Sequence, residues 1–274
     1  MVNRIDEHNV RYTIIQEQPD AEFSFIFLPG GPGFDSEYFE GLVKLIDFPG
    51  NIYFMDLPGN GSHNVVDADY DYNKWLDILP KSLQEFQNPV LVGHSAGGHF
   101  ALICPELEDI LQGLVILNST PSLWLEEAAK YAKKFDVPDL IEEMVAFNRN
   151  PNQETFDTAL AACIPYYFHP DVLSSGRELI SKIAFPFQPA VWWQHEAIKR
   201  NYNATWIPQN VPTLIINAEY DLMAPYYLFV DDERFQRANI EIIYLEGAGH
   251  LPWIEKPEET KNVITKFLES DLKR

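Results

Sequence analysis

Cysteine is scarce: Cys104 and Cys163 are the only two in 274 residues. Two thiols make no disulfide framework, and neither has the spacing of a zinc ligand set. A reducing, cytoplasmic setting is therefore expected. Long hydrophobic runs are missing too. No stretch of about 18 apolar residues occurs, which predicts no transmembrane span. The opening "MVNRIDEHNVRY" has no apolar core of a signal peptide, so none is expected. Positive charge is in short supply, with 20 Lys and Arg against 41 Asp and Glu, a formal net charge of −21. Such a surface repels phosphate backbones and anionic lipid, which argues against nucleic-acid binding and reads as solubility. No low-complexity tract, internal repeat, metal-ligand cluster, P-loop or G-x-G-x-x-G fingerprint is present, so no metal or other cofactor is expected.

What is there reads as strands alternating with helices. Short apolar runs lie at 10–15, 23–28, 51–57, 89–93, 113–118, 212–217 and 240–245. They are continuous rather than alternating, as strands covered on both faces are. Helical patterns fall at 36–46, 72–86, 96–107 and 257–270, the last opening on Pro257 and two glutamates. This rhythm predicts an α/β fold with a mostly parallel central sheet and helices on both faces. It breaks between 121 and 208, where helical patterns at 125–135, 140–150 and 174–183 occur without a convincing strand. So long a segment is too long for a loop. It is expected to be a helical cap, inserted into a core formed by 1–120 and 209–274.

Gly93-His94-Ser95-Ala96-Gly97 follows an apolar strand and precedes a helix. A serine at such a turn is held in a strained conformation that lifts its hydroxyl above the sheet edge. Flanking glycines leave room, and the Ala96 N–H at the helix start can stabilise developing negative charge. A serine needs a base, and seven histidines are available. His94 adjoins Ser95 and suits packing. His99 suits a packed helix. His8 and His63 lie in early loops, and His169 and His195 in the cap. His250, in "EGAGHLPW", follows the last strand at the carboxyl edge of the sheet, the edge where Ser95 lies. Asp221 follows the strand at 212–217 at that same edge and can orient the base, with Glu219 as its rival. The order Ser95, Asp221, His250 is that of a hydrolase triad. A second oxyanion donor is expected from "PGGPG" at 29–33, where Gly30, Gly31 and Gly33 carry N–H groups and the prolines do not.

"LPGGPG", "DLPGNGSH", "GHSAGG", "NAEYD" and "EGAGHLPW", in that order, give the chain a resemblance to the α/β-hydrolase superfamily over nearly its whole length. By position, that resemblance implies Ala96 and Gly31 as the two oxyanion donors and Asp56 as a structural loop residue. The glycine-rich turn is also similar to that of prolyl iminopeptidases. The match departs at Pro29, where that family has His, and at the nucleophile, where it has Gly before the serine and Trp after it. Ser95 argues against dehalogenases and epoxide hydrolases of this fold, which use Asp at the elbow.

The expected partner is a small-molecule substrate: a small, largely apolar carboxylic ester, cleaved through an acyl-enzyme. Tyr166, Tyr167, Trp192 and Trp193 in the cap are candidates to line its pocket; a buried cap core would explain them equally. Three rivals stay open. An aminopeptidase needs a cap carboxylate facing the pocket, for which Glu126, Glu127, Glu142 and Glu143 are available. A carbon–carbon bond hydrolase needs a polar pocket. A non-catalytic binding protein would have lost triad residues. The pattern specifies no oligomeric state.

Overall fold

All seven apolar runs form strands in the computed structural model, which describes residues 2–67 and 69–272. They are β2 (Arg11–Gln16), β3 (Phe23–Leu28), β4 (Gly50–Asp56), β5 (Pro89–His94), β6 (Gly113–Leu117), β7 (Thr213–Ala218) and β8 (Ile240–Leu245). An eighth, β1 (Val2–Ile5), precedes them. It is exposed along its whole length and has no apolar run to reveal it. The single sheet has the order β1-β2-β4-β3-β5-β6-β7-β8. β2 runs antiparallel to both β1 and β4, and every other neighbouring pair is parallel.

The helices, in chain order, are α1 (Glu40–Leu45), α2 (Lys74–Leu83), α3 (Ala96–Leu102), α4 (Leu125–Ala132), α5 (Ile141–Arg149), α6 (Gln153–Tyr167), α7 (Leu173–Ile180), α8 (Phe187–Lys199), α9 (Tyr227–Val230), α10 (Pro252–Glu255) and α11 (Pro257–Ser270). Side chains alternate across a strand, so each central strand feeds two cores. Phe25, Phe27, Val90, Val92 and Val115 point to the layer holding Leu42, Trp253 and Phe267 from α1, α10 and α11. Ile26, Leu28, Leu91, Leu114 and Ile116 point to the layer holding Trp75, Leu79 and Phe100 from α2 and α3. Burial on both faces is why these strands read as continuous apolar runs. Among the described residues no helix is long and apolar enough to cross a membrane.

Helices α4 to α8 stand between β6 and β7, in one helical insert. The sequence pattern marks α4, α5 and α7 but not α6 or α8. Pro165 lies inside α6 and Pro189 in the first turn of α8, and both suggest breaks. A capping box at Asn152 starts α6, with Thr155 where Glu or Gln is more usual. At the base of the insert its two ends meet: Leu123 donates to the Tyr202 carbonyl (2.8 Å) and Ala204 to the Pro121 carbonyl (2.7 Å).

Candidate active site

β5 ends at His94 and α3 begins at Ala96, leaving Ser95 between them with φ 52° and ψ −119°. Such a backbone costs a non-glycine residue about 1–3 kcal/mol and must be held by its surroundings. Here the Ser95 N–H donates to the Leu117 carbonyl at 2.9 Å. Its own carbonyl accepts from Ser119 Oγ at 2.8 Å and from the Gly98 and His99 N–H groups. Tight packing sharpens the turn. A Cβ on Gly97 would lie 2.5 Å from the Leu28 carbonyl oxygen, and one on Gly93 only 3.0 Å from the Gly97 carbonyl.

Asp221 and His250 come off the ends of β7 and β8, and both are buried. Asp221 Oδ1 accepts the N–H groups of Met223 (3.1 Å) and Ala224 (2.9 Å). Its Oδ2 takes His250 Nδ1 at 2.7 Å and Asn118 Nδ2 at 2.8 Å. Every lone-pair direction of the carboxylate is thus engaged, which aims it at the imidazole. Glu219, the other carboxylate expected at this edge, instead accepts the Gly247 N–H at 2.9 Å and braces the loop that carries His250. The sequence reading missed Asn118. It directly follows β6 at φ 45°, a conformation Asn tolerates, and also donates to the Gly249 carbonyl at 3.1 Å. Only a carboxylate was expected to matter at that strand end, and Asn118 is an amide.

The insert reaches His250 from the other side. The last carbonyls of a helix lack partners within it. At the end of α6, Tyr167 accepts the His250 N–H (2.6 Å) and Tyr166 accepts the Leu222 N–H (3.0 Å). The negative end of α6 therefore sits at the loop that carries His250.

His94 does pack, against Phe39 and Trp253, but it is also hydrogen-bonded at both ring nitrogens. The Gly30 N–H donates to Tyr38 Oη (3.0 Å), so the Tyr38 hydroxyl donates onward to His94 Nδ1 (2.7 Å). That leaves Nε2 to carry the proton and donate to the His250 carbonyl (2.9 Å). Burial, and next the charge on His250, hold the His94 pKa well below the usual histidine range, so the ring stays neutral. One side chain thus joins the glycine turn to the base loop. Replacing it with Phe keeps the ring but strips both bonds, leaving the buried Tyr38 hydroxyl proton and the His250 carbonyl without partners, at about 1–3 kcal/mol each. His94→Phe is expected to lower Tm and to cut kcat at least tenfold, with KM within about twofold. His94→Gln, which can both accept and donate, should recover most of the loss; thermal melts and steady-state kinetics check both.

Of the three glycine donors, Gly30 is taken by Tyr38. The N–H groups of Gly31 and Ala96 have no hydrogen-bond acceptor among the described residues. Gly31 has φ 110°, and a Cβ there would lie 2.9 Å from the Phe185 ring. Asp56 lies beneath this turn, buried, with Arg11 Nη2 at 2.8 Å and the Ser36 N–H and Oγ at 2.9 and 2.7 Å. Burial and then neighbouring Asp35 push its pKa up to about 6, with Arg11 opposing. The loop after it is tied back to the turn by the Gly61 N–H on the Gly33 carbonyl (2.8 Å).

Above the turn a cavity of about 660 Å³ opens between insert and core. Tyr166, Tyr167 and Trp193 line it, with Gly31 and Pro32 at its floor. Trp192 does not, which corrects the expectation for that residue. Adjacent helical side chains point about 100° apart, and Trp192 packs instead against Tyr72, Trp75 and Phe100. Trp193 Nε1 donates to His99 Nδ1 at 3.2 Å, so His99 joins α3 to the insert. Of the other histidines, His63 bonds the Asn9 carbonyl, His195 is exposed, and His169 packs its ring on Tyr220 beside Asp221. Glu126, Glu127, Glu142 and Glu143 do not line the cavity, and the first two pair with Lys130. Among the described residues no group of three His, Cys, Asp or Glu side chains converges as a metal site.

Glu255, on α10, sits against the base loop and accepts the His169 N–H at 3.0 Å. Burial is the largest influence on its carboxyl and pushes the pKa from 4.5 up to about 7, against the His169 hydrogen bond. A pKa raised in the folded state means the bound proton stabilises the fold. That stabilisation is complete below pH 4.5 and is lost as pH rises through about 7. Glu255→Gln, permanently neutral, should therefore gain Tm relative to wild type between pH 5 and pH 8, as thermal melts across that range will register.

The model of the alpha/beta hydrolase family matches residues 25–263. A proline iminopeptidase of Lactobacillus helveticus is 24% identical, over 94% of this chain and 93% of its own. A putative esterase/lipase of Mycoplasma pneumoniae is 23% identical over 80% of this chain and 81% of its own. Among solved structures, a proline iminopeptidase-related protein from Thermus thermophilus superimposes with a TM-score of 0.72 at 20% identity, covering 100% of this chain and 99% of that one. With the sheet order, the serine turn and the family match in agreement, the chain belongs to the alpha/beta hydrolase family and is a hydrolase.

Proposed function

We propose that this hydrolase cleaves a small, largely apolar carboxylic ester through a serine triad and an acyl-enzyme. The observation that carries the reading is the 2.7 Å bond from His250 Nδ1 to the fully bonded Asp221, at the sheet edge where Ser95 stands at φ 52°. With Nδ1 engaged, Nε2 is the nitrogen that acts as base. It removes the Ser95 proton as Oγ attacks the ester carbonyl. The Gly31 and Ala96 N–H groups, free of other acceptors, hold the oxyanion. His250, now an imidazolium facing Asp221, gives its proton to the leaving alcohol. Water then attacks the acyl-enzyme, with His250 as base again. The helical segment 121–208 acts as the cap that closes the site.

Two relatives' names divide between peptidase and esterase, and three features favour the ester. The turn carries Pro29 where prolyl iminopeptidases have His. None of the four cap glutamates lines the cavity, so none is positioned to hold a substrate amine. Asp139, the one carboxylate that does line it, is exposed and accepts the Ile141 N–H at 2.7 Å. The rest of the lining is largely apolar, with the exposed Lys133 as its one cation, which disfavours a diketone with a second carboxylate. A panel of p-nitrophenyl esters against proline and alanine p-nitroanilides tests the choice. Turnover of the esters with little or none of the anilides is expected; the reverse would establish the aminopeptidase.

A further inference from the structure

We infer that the cavity above the glycine turn is an acyl-chain pocket, selecting esters of medium-length straight-chain carboxylic acids. This rests on the serine-hydrolase reading above and adds the class of acid. The cavity begins at Gly31 and Pro32, where the oxyanion turn lies; Ser95, Ala96 and His250 are themselves outside its lining, and Tyr167, which packs against the His250 ring, is within it. An ester whose carbonyl is held at that turn sends its acyl part into the cavity, and this is the orientation the proposal takes. From there the lining runs between α4, α5 and α6 to Ile141, which is 65% exposed and marks an opening on α5.

The walls suit a chain and little else. Met144, Leu160, Phe147 and Phe156 face the lumen, and Ala128, Ala132 and Ala159 leave it open where larger residues would fill it. Two of the polar groups nearby are engaged: Tyr166 Oη donates to the Pro138 carbonyl at 2.7 Å, and Trp193 Nε1 to His99; the Tyr167 hydroxyl, the Trp124 indole N–H and the Gln194 amide, also in the lining, have no such partner among the described residues. Along the stretch walled by Met144, Phe147, Phe156 and Leu160, a substrate hydroxyl, amine or carboxylate would be buried without a partner. The charged lining residues, Lys133 and Asp139, are exposed. A volume of about 660 Å³ is well beyond the needs of an acetyl group and lies mid-range for small-molecule sites.

The test is kcat/KM over p-nitrophenyl acetate, butyrate, hexanoate and octanoate. Burying a methylene contributes about 0.8 kcal/mol, and 1.36 kcal/mol is tenfold, so each added methylene is worth about fourfold. Octanoate is expected to exceed acetate by at least about 100-fold. Ala159→Phe, which plugs the lumen from α6, should cut octanoate at least tenfold and leave acetate within about threefold. Retained acetate turnover shows that the variant folds, and Ala132→Phe repeats the test from α4. A flat acyl series with acetate cleaved overturns the pocket and leaves the serine hydrolase standing. So does a length dependence found among alkyl acetates instead, which puts the alcohol in the cavity. Plugged variants that slow both esters equally also overturn it. No hydrolysis of any ester, with wild type indistinguishable from Ser95→Ala, overturns the parent reading and this one with it.

Discussion

Asp221→Asn is expected to lower kcat by about 10⁴-fold while leaving the fold intact. The amide matches the carboxylate in size, so its oxygen can still accept the Met223 and Ala224 N–H groups that hold Oδ1. Its NH₂ then replaces Oδ2, where His250 Nδ1 and Asn118 Nδ2 now donate. Three donors would face one another. The strain is relieved when His250 shifts its proton to Nε2, which converts the base into a donor towards Ser95. Flipping the amide instead points its NH₂ at two backbone N–H groups and gains nothing. The imidazolium formed during reaction also loses its counter-charge. Steady-state kinetics with a circular dichroism control decide the matter, and a loss under tenfold would remove Asp221 from the reaction.

Ser95→Gly should abolish turnover and stabilise the protein. Removing the hydroxyl is expected to cost about 10⁶-fold in kcat. The backbone effect has the opposite sign. Ser95 is held at φ 52°, which costs a residue with a Cβ about 1–3 kcal/mol and a glycine little. Glycine returns some of that gain through the greater entropy of its unfolded chain, about 0.4–1 kcal/mol. Ser95→Ala keeps the Cβ and the strain, so the Gly and Ala variants form a matched pair, both without a nucleophile. Glycine should melt higher by a few degrees, since about 1 kcal/mol shifts Tm by about 2–4 °C in a chain near this size. Equal melting points would mean that the strain is no larger than the chain-entropy cost of glycine, about 0.4–1 kcal/mol.

Much of the fold was legible because burial on both faces writes itself into the sequence. Residues such as Phe25 and Ile26 face opposite cores, so β3 reads as an unbroken apolar run. β1 lacks that mark because both its faces meet solvent. Helices α6 and α8 carry prolines at positions that helices tolerate only in particular turns, and nothing local says which turn it is. The serine turn was legible because steric demand fixes glycines at fixed spacing around it. Asp221 and His250 stand out as candidates by strand order, since their loops leave the same sheet edge.

The supporting partners were not legible, because their contacts are long-range. Tyr38 and His94 are 56 residues apart, and His94 and His250 are 156 apart. No periodicity links a tyrosine after one strand to the residue before a serine on another. Asn118 was passed over because it bears no charge, although its amide anchors the acid. Trp192 and Trp193 are chemically identical neighbours; only the rotation of α8 decides that one meets the cavity and the other Trp75.

The central claim is that Ser95 is the nucleophile, activated by His250 and Asp221. Labelling with a fluorophosphonate probe, followed by mass spectrometry of the intact chain and its peptides, tests it most directly. One adduct per chain is expected, located on Ser95, absent from Ser95→Ala and slowed in Asp221→Asn. A wild-type chain that resists the probe, or an adduct that persists in Ser95→Ala, would contradict it.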